Sequence, residues 1–222
     1  MRKIQRLAAI GAMAALTVAL GACSNSETAS TGTAPTSAAA AAAPTSQAMA
    51  GNGATTNADV FGSACSQLPT GDAPGSLNNM GPQPVASAAS TNPLLTTLVA
   101  AVGKVPGLAD TLNAAPALTV YAPANSAFEK IPAATLQSVL DNETALKNLL
   151  SYHVSGTRYD KDGLLAAGTT TQLAGGTVKV SGSGDNITLT GGNGQSANVV
   201  CGNIPTKNAT VFVIDSVLMP AG

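Results

Sequence analysis

Thr210-Val211-Phe212-Val213-Ile214-Asp215-Ser216-Val217-Leu218-Met219 decides how this chain folds. A strand with one wet face alternates apolar and polar residues; this run is almost continuously apolar. It therefore predicts a strand over 210–219 that is central in its sheet and covered on both faces. Moving back toward Gly168, the apolar residues keep a period of two. Strands are predicted at 170–173, 177–180, 187–190 and 197–200, separated by glycine-rich turns such as Gly175-Gly176. Ahead of Gly168 the period becomes 3.6. Asn92-Pro93 reads as a helix cap and first-turn proline, with Leu94, Leu95, Leu98, Val99 and Val102 on one face and Gly103 at the end. A short strand at 118–122 is stopped by Pro123. Asn125 is expected to cap the short helix that carries Ala127 and Phe128. Ile131-Pro132 opens a helix through Leu140, with Leu136, Val139 and Leu140 facing inward. Asn142 caps a helix over 143–150, and Asp160 starts one that ends at Gly168. Helices first and strands afterwards predict an α+β domain over 61–222.

The residues before that domain read differently. Arg2, Lys3 and Arg6 precede a charge-free apolar run of 14 residues from Leu7 to Leu20. That run is shorter than the ~20 residues of a membrane span but suits a signal-peptide core. It leads into Leu20-Gly21-Ala22-Cys23, which resembles the bacterial lipobox. We expect a signal peptide over 1–22, cleavage before Cys23, and a lipid anchor on that cysteine at the outer face of a bacterial cell membrane, with the cell wall or, after shedding, the medium as the alternative locations. More than one acyl chain on Cys23 would hold the protein there stably. From Ser24 to Ala58, 29 of 35 residues are Ala, Ser, Thr, Gly or Pro and Glu27 is the single charge. Too little apolar surface is present to offset ordering entropy, so 23–60 is expected to be a lipidated, disordered tether. Its Ser/Thr/Pro content suits O-glycosylation and, equally, a bare spacer.

With Cys23 given to lipid, Cys65 and Cys201 remain in an exported, oxidising setting. A structural disulfide between them is the expectation. Charge narrows the partners. The whole chain is near neutral at net −1; without Arg2, Lys3 and Arg6 the mature part holds 7 basic against 11 acidic residues, net −4. That excludes a nucleic-acid binder, which needs a basic patch for phosphates. One His, no Trp and 3% aromatic residues leave a conventional acid–base or zinc enzyme short of parts. Gly-x-Ser-x-Gly, His-Glu-x-x-His and Gly-x-x-x-x-Gly-Lys-Ser/Thr are all missing from the sequence. We therefore expect no enzyme activity, no cofactor and no metal.

Thr119-Val120-Tyr121-Ala122-Pro123-Ala124-Asn125-Ser126-Ala127-Phe128 resembles the first signature of the fasciclin domain family. Ala209 to Pro220 resembles the second, and Tyr152-His153 stands where the family has its Tyr-His motif. The chain is also similar to the mycobacterial fasciclin-type cell-surface lipoprotein antigens, Cys65 and the Asn198-Val199-Val200-Cys201-Gly202 run included. The resemblance implies helices packed on a β-sandwich or wedge of two small sheets, with adhesion or interaction rather than catalysis. Asn125, Phe128, Tyr152, His153 and Asp215 are expected in structural roles, with Asp215 held by Lys207 or by backbone N–H groups. Eukaryotic members are associated with integrin binding through an Asp-Ile pair; that position here is Asn203-Ile204, which removes the carboxylate. Sequons at Asn142, Asn186 and Asn208 carry no expectation. Two functional classes follow. One is a monomeric, surface-tethered module that contacts an envelope, matrix or host-protein partner. The other is a carrier of a small apolar ligand or lipid in a groove between helices and sheet, which a cavity without charged residues would support.

Overall fold

The computed structural model describes residues 53–221. The expectations for the leader, for Cys23 and for the tether before Gly53 lie outside the described residues. Four short helices come first: α1 (Leu77–Met80), α2 (Val85–Thr91), α3 (Thr96–Gly103) and α4 (Leu108–Ala114). Strand β1 (Leu118–Pro123) precedes α5 (Asn125–Glu129), α6 (Ala133–Asp141) and α7 (Glu143–Tyr152). After β2 (Val154–Ser155) and α8 (Lys161–Ala167) the chain is all strand: β3 (Thr169–Thr171), β4 (Thr177–Ser183), β5 (Asn186–Thr190), β6 (Ser196–Pro205) and β7 (Ala209–Ile214).

The strands pair in the order β2-β1-β7-β6-β5-β4-β3. Only β1 and β7 run parallel, Leu118 opposite Ala209 through Pro123 opposite Ile214. The two small sheets expected from the sequence are the two halves of this order, joined by β6. That long strand pairs with β5 near Asn198 and with β7 from Val199 onward, its register shifting twice between Val199 and Ile204. The far edges curl together: Ser155 bridges Gln172, and the Leu173 N–H donates to the Val154 carbonyl at 2.8 Å. A bent sheet of this kind has two faces to bury. Val120, Ala122, Val211 and Val213 point into a core shared with the helices. Tyr121, Phe212 and Ile214, one residue out of phase, point into a second core inside the wedge with Val178, Ile187 and Leu189. This is why β7 shows no polar alternation.

Local caps explain several helices. The Asn142 side chain accepts the Ala145 N–H at 3.0 Å, and Asp160 accepts that of Gly163 at 2.8 Å. Gly168 closes α8 in the left-handed region at φ 61°, where a side chain would be strained. Asn92 accepts from Leu94 at 2.9 Å, but the turn it caps, Pro93–Leu95, is a separate 3-10 element ahead of α3. Cys65, in the 3-10 turn Ser63–Gln67, is disulfide-bonded to Cys201 on β6, with Cα atoms 5.0 Å apart and 136 positions from one to the other in sequence. Closing so long a loop limits the unfolded chain by about 5 kcal/mol at most.

Five readings are corrected. Asn125 does not cap its own helix: Ala124 takes that place, and Asn125 is the first residue of α5. Helix α6 buries no residue fully; Leu136, Val139 and Leu140 are half-buried, because α6 lies chiefly over α7 instead of the sheet. The last strand stops at Ile214, since Asp215 turns its carboxylate back to the Asn198 N–H at 2.8 Å. Residues 53–60, grouped with the tether by composition, are tied to the domain: the Gly53 carbonyl accepts from Thr210 Oγ1 at 2.7 Å, and residues 57–59 form a 3-10 turn. Helices α1, α2 and α4 have no counterpart among the predicted elements. Among the described residues no single helix is long and apolar enough to cross a membrane.

Candidate functional site

The signature residues meet at His153, which is 3% exposed. The Leu218 N–H donates to His153 Nε2 at 3.0 Å, so the proton sits on Nδ1, which donates to the Leu149 carbonyl at 2.8 Å. The His153 carbonyl in turn accepts the Tyr121 N–H at 2.8 Å. Helix α7, the first signature and the second are thereby joined through one residue. Burial pushes the imidazole pKa down to about 4, against the opposing bond to Leu149. The ring is neutral at physiological pH, and both nitrogens are occupied.

The neighbours are equally committed. Tyr152 Oη donates to the Thr177 carbonyl at 2.7 Å and accepts the Gly192 N–H at 2.8 Å. Tyr121 Oη and Thr170 Oγ1 lie 2.9 Å apart inside the wedge, where burial drives the phenol pKa upward. Phe128 is buried in the helix-side core. Asp215 accepts the Asn198 backbone N–H at 2.8 Å, one of the two kinds of partner expected for it, and its ion pair is with Lys130 at 3.4 Å in place of Lys207. Partial burial raises its pKa, but the Asn198 hydrogen bonds and Lys130 outweigh it, and the carboxyl ends below the usual range. Asn203 is buried in left-handed backbone at φ 57° and Ile204 is buried beside it, so this position offers no surface group. Among the described residues no cluster of three or more His, Cys, Asp or Glu could hold a metal ion.

Two asparagines make contacts that no local signal announces. Asn125 accepts the Thr97 N–H at 3.0 Å and the Thr96 hydroxyl at 3.1 Å, and donates to the Pro93 carbonyl at 3.0 Å. It caps α3, a helix 28 residues away. Asn208, 7% exposed, accepts the Val85 N–H at the start of α2 (2.9 Å) and donates to the Leu112 and Ala115 carbonyls at the end of α4 (both 2.8 Å). Free helix ends are thus closed by side chains from distant elements.

These helices enclose a cleft of about 300 Å³. Its walls come from α2 (Val85, Ala89), α3 (Leu98, Val102) and α4 (Leu112); its floor comes from Val120, Leu150 and Val154. Among the described residues no Asp, Glu, Lys or Arg lines it, and His153 lies at the floor with both ring nitrogens already hydrogen-bonded.

The Fasciclin domain model of that family matches residues 93–220. The chain belongs to the fasciclin-domain family. Its likeness to mycobacterial members extends past that domain. It is 40% identical to the cell surface glycolipoprotein MPT83 of Mycobacterium tuberculosis, covering 96% of this chain and 95% of that protein. It is 42% identical to the immunogenic protein MPB70 of Mycobacterium bovis over 73% of this chain and 83% of that one. Among solved structures, a FAS1 domain pair from the insect cell adhesion molecule Fasciclin I is similar over 56% of this chain and 45% of that chain, at 22% identity and a TM-score of 0.48. The fasciclin signatures of this chain form junctions that hydrogen-bond helices to strands.

Proposed function

We propose that this chain is a non-enzymatic fasciclin-domain protein, anchored by lipid on Cys23 at the outer face of the bacterial cell membrane. It is displayed on its tether for adhesion or for contact with an envelope, matrix or host protein. The observation that carries this reading is the span of the MPT83 match. At 96% of the chain it must take in most of the residues ahead of the domain, so the resemblance to a protein named as a cell surface glycolipoprotein covers leader and tether as well. The polar signature residues add support, since His153, Tyr152 and Asn125 all have their side-chain atoms engaged in internal hydrogen bonds. The test is Cys23→Ala in the native host. Its expected result is transfer of the protein from the membrane fraction to the medium; unchanged membrane retention refutes the anchor. One observation favours a second reading, a carrier of small apolar ligands: the charge-free cleft between helices and sheet.

A further inference from the structure

We propose that the cleft bounded by α2, α3, α4 and the β1–α7 floor binds one unbranched alkyl chain of about ten carbons, carried by a lipid with an uncharged headgroup. This deepens the carrier reading and rests on it. The chemistry of the lining selects the ligand. Its deep surface is apolar, and the polar groups it does contain are engaged. Asn113 Oδ1 accepts the Ala86 N–H at 2.9 Å, Ser90 Oγ donates to the Ser87 carbonyl at 2.6 Å, and both His153 nitrogens are bonded. A carboxylate or ammonium taken into this space would lose its water with no counter-charge among the lining residues. An alkyl chain has nothing to lose there, and an ester or hydroxyl at the rim stays in water.

Size sets the length. A methylene takes roughly the room of one water in the liquid, about 30 Å³, so a space of about 300 Å³ holds on the order of ten.

Construction supplies an independent reason. Protein interiors hold few voids larger than a water, and walls that can move close in part on a gap. Here the walls are fixed from outside. Asn208 holds the start of α2 and the end of α4, Asn125 holds α3, and the chain bends by 97° between α2 and the Pro93–Gly103 segment. The cleft is therefore kept open before any ligand arrives, which lowers the ordering cost of binding. Val99, Val102 and Ala109 stand half-buried around it.

The full chain carrying Cys23→Ala is titrated with 1-alkanols from hexanol to tetradecanol, with decanoate at pH 8 and with naphthalene. Calorimetry gives affinity, and methyl NMR shifts of Val85, Leu98, Leu112 and Leu150 give location. The expected result is an affinity that rises about tenfold for every two carbons and levels off near ten, with decanoate at least tenfold weaker than decanol. Val102→Phe and Ala109→Phe fill the opening and lower decanol affinity at least tenfold, with melting temperatures recorded for each. If either fails to fold, the shift map of the unsubstituted cleft decides. Shifts outside the cleft, or affinity that keeps rising through fourteen carbons, overturn the proposal. Naphthalene binding without alkanol binding overturns it while leaving a carrier; binding of neither ends both.

Discussion

Replacing Asn208 by alanine tests whether the helix layer is held by one side chain. Three short hydrogen bonds disappear together, to the Val85 N–H and to the Leu112 and Ala115 carbonyls. At about 1 kcal/mol net for each bond, with the abandoned groups at helix ends that lie against the sheet, the loss is about 3 kcal/mol. For a domain of this size that lowers Tm by about 6–12 °C. The assay is scanning calorimetry and urea unfolding of the disulfide-intact chain. Asn208→Asp separates the two functions of the amide. Its carboxylate still accepts from Val85 but faces the two carbonyls with no donor, so at pH 7 it destabilises at least as much as alanine. Those carbonyls raise the carboxyl's folded pKa, so the deficit grows as pH rises through the ordinary carboxyl range near 4 and shrinks on acidification. A loss below about 1 kcal/mol for Asn208→Ala, or an aspartate variant as stable as the parent at pH 7, would refute the claim that this residue pins α2 and α4.

Other consequences can be checked in the same preparation. His153 is held neutral with its pKa depressed to about 4 from an ordinary 6.5, so stability is complete above pH 6.5 and falls by about 3 kcal/mol as pH drops to 4. His153→Gln should flatten that slope in pH-dependent urea midpoints, and an unchanged slope would assign the acid sensitivity elsewhere. Asn125→Ala should cost about 1 kcal/mol and speed hydrogen exchange at Thr97 in α3. Faster exchange confined to α5 would restore the local-cap reading. Reducing the disulfide, or pairing Cys65→Ser with Cys201→Ser, should lower stability by about 2–5 kcal/mol; an unmoved urea midpoint would mean that the cross-link constrains nothing.

What could be read from the sequence was what neighbours in sequence determine. Asn142 and Asp160 cap the helices that follow them, Gly168 ends α8, and the period-two strands between glycine turns fall close to their observed places. The missed elements answer to distant partners. Helix α2 is Val-Ala-Ser-Ala-Ala-Ser-Thr, with no apolar stripe to find, and its first N–H is satisfied by a residue 123 positions later. Asn125 looks like a local cap because Asn usually is one. Nothing nearby in the chain says that its amide turns toward α3. The domain starts by Gly53 and not at 61 because Thr210, 157 positions on, holds the Gly53 carbonyl. The cleft belongs to the same class. Its lining residues read singly as core, and only the placement of α2, α3 and α4 leaves a space between them.

The Cys65–Cys201 bond also settles how this domain answers a mechanical load. A pull on the residues ahead of Gly53 first strains the Gly53–Thr210 contact and then the Phe61–Gly202 bridge, and the hydrogen bonds of both can break in succession. Peeling then halts at Cys65, where the tension passes through a covalent bond into β6, the strand that joins the two halves of the sheet. The twelve positions from 53 to 64 act as a short extensible leash, and everything beyond is loaded from its middle instead of unzipped from its edge.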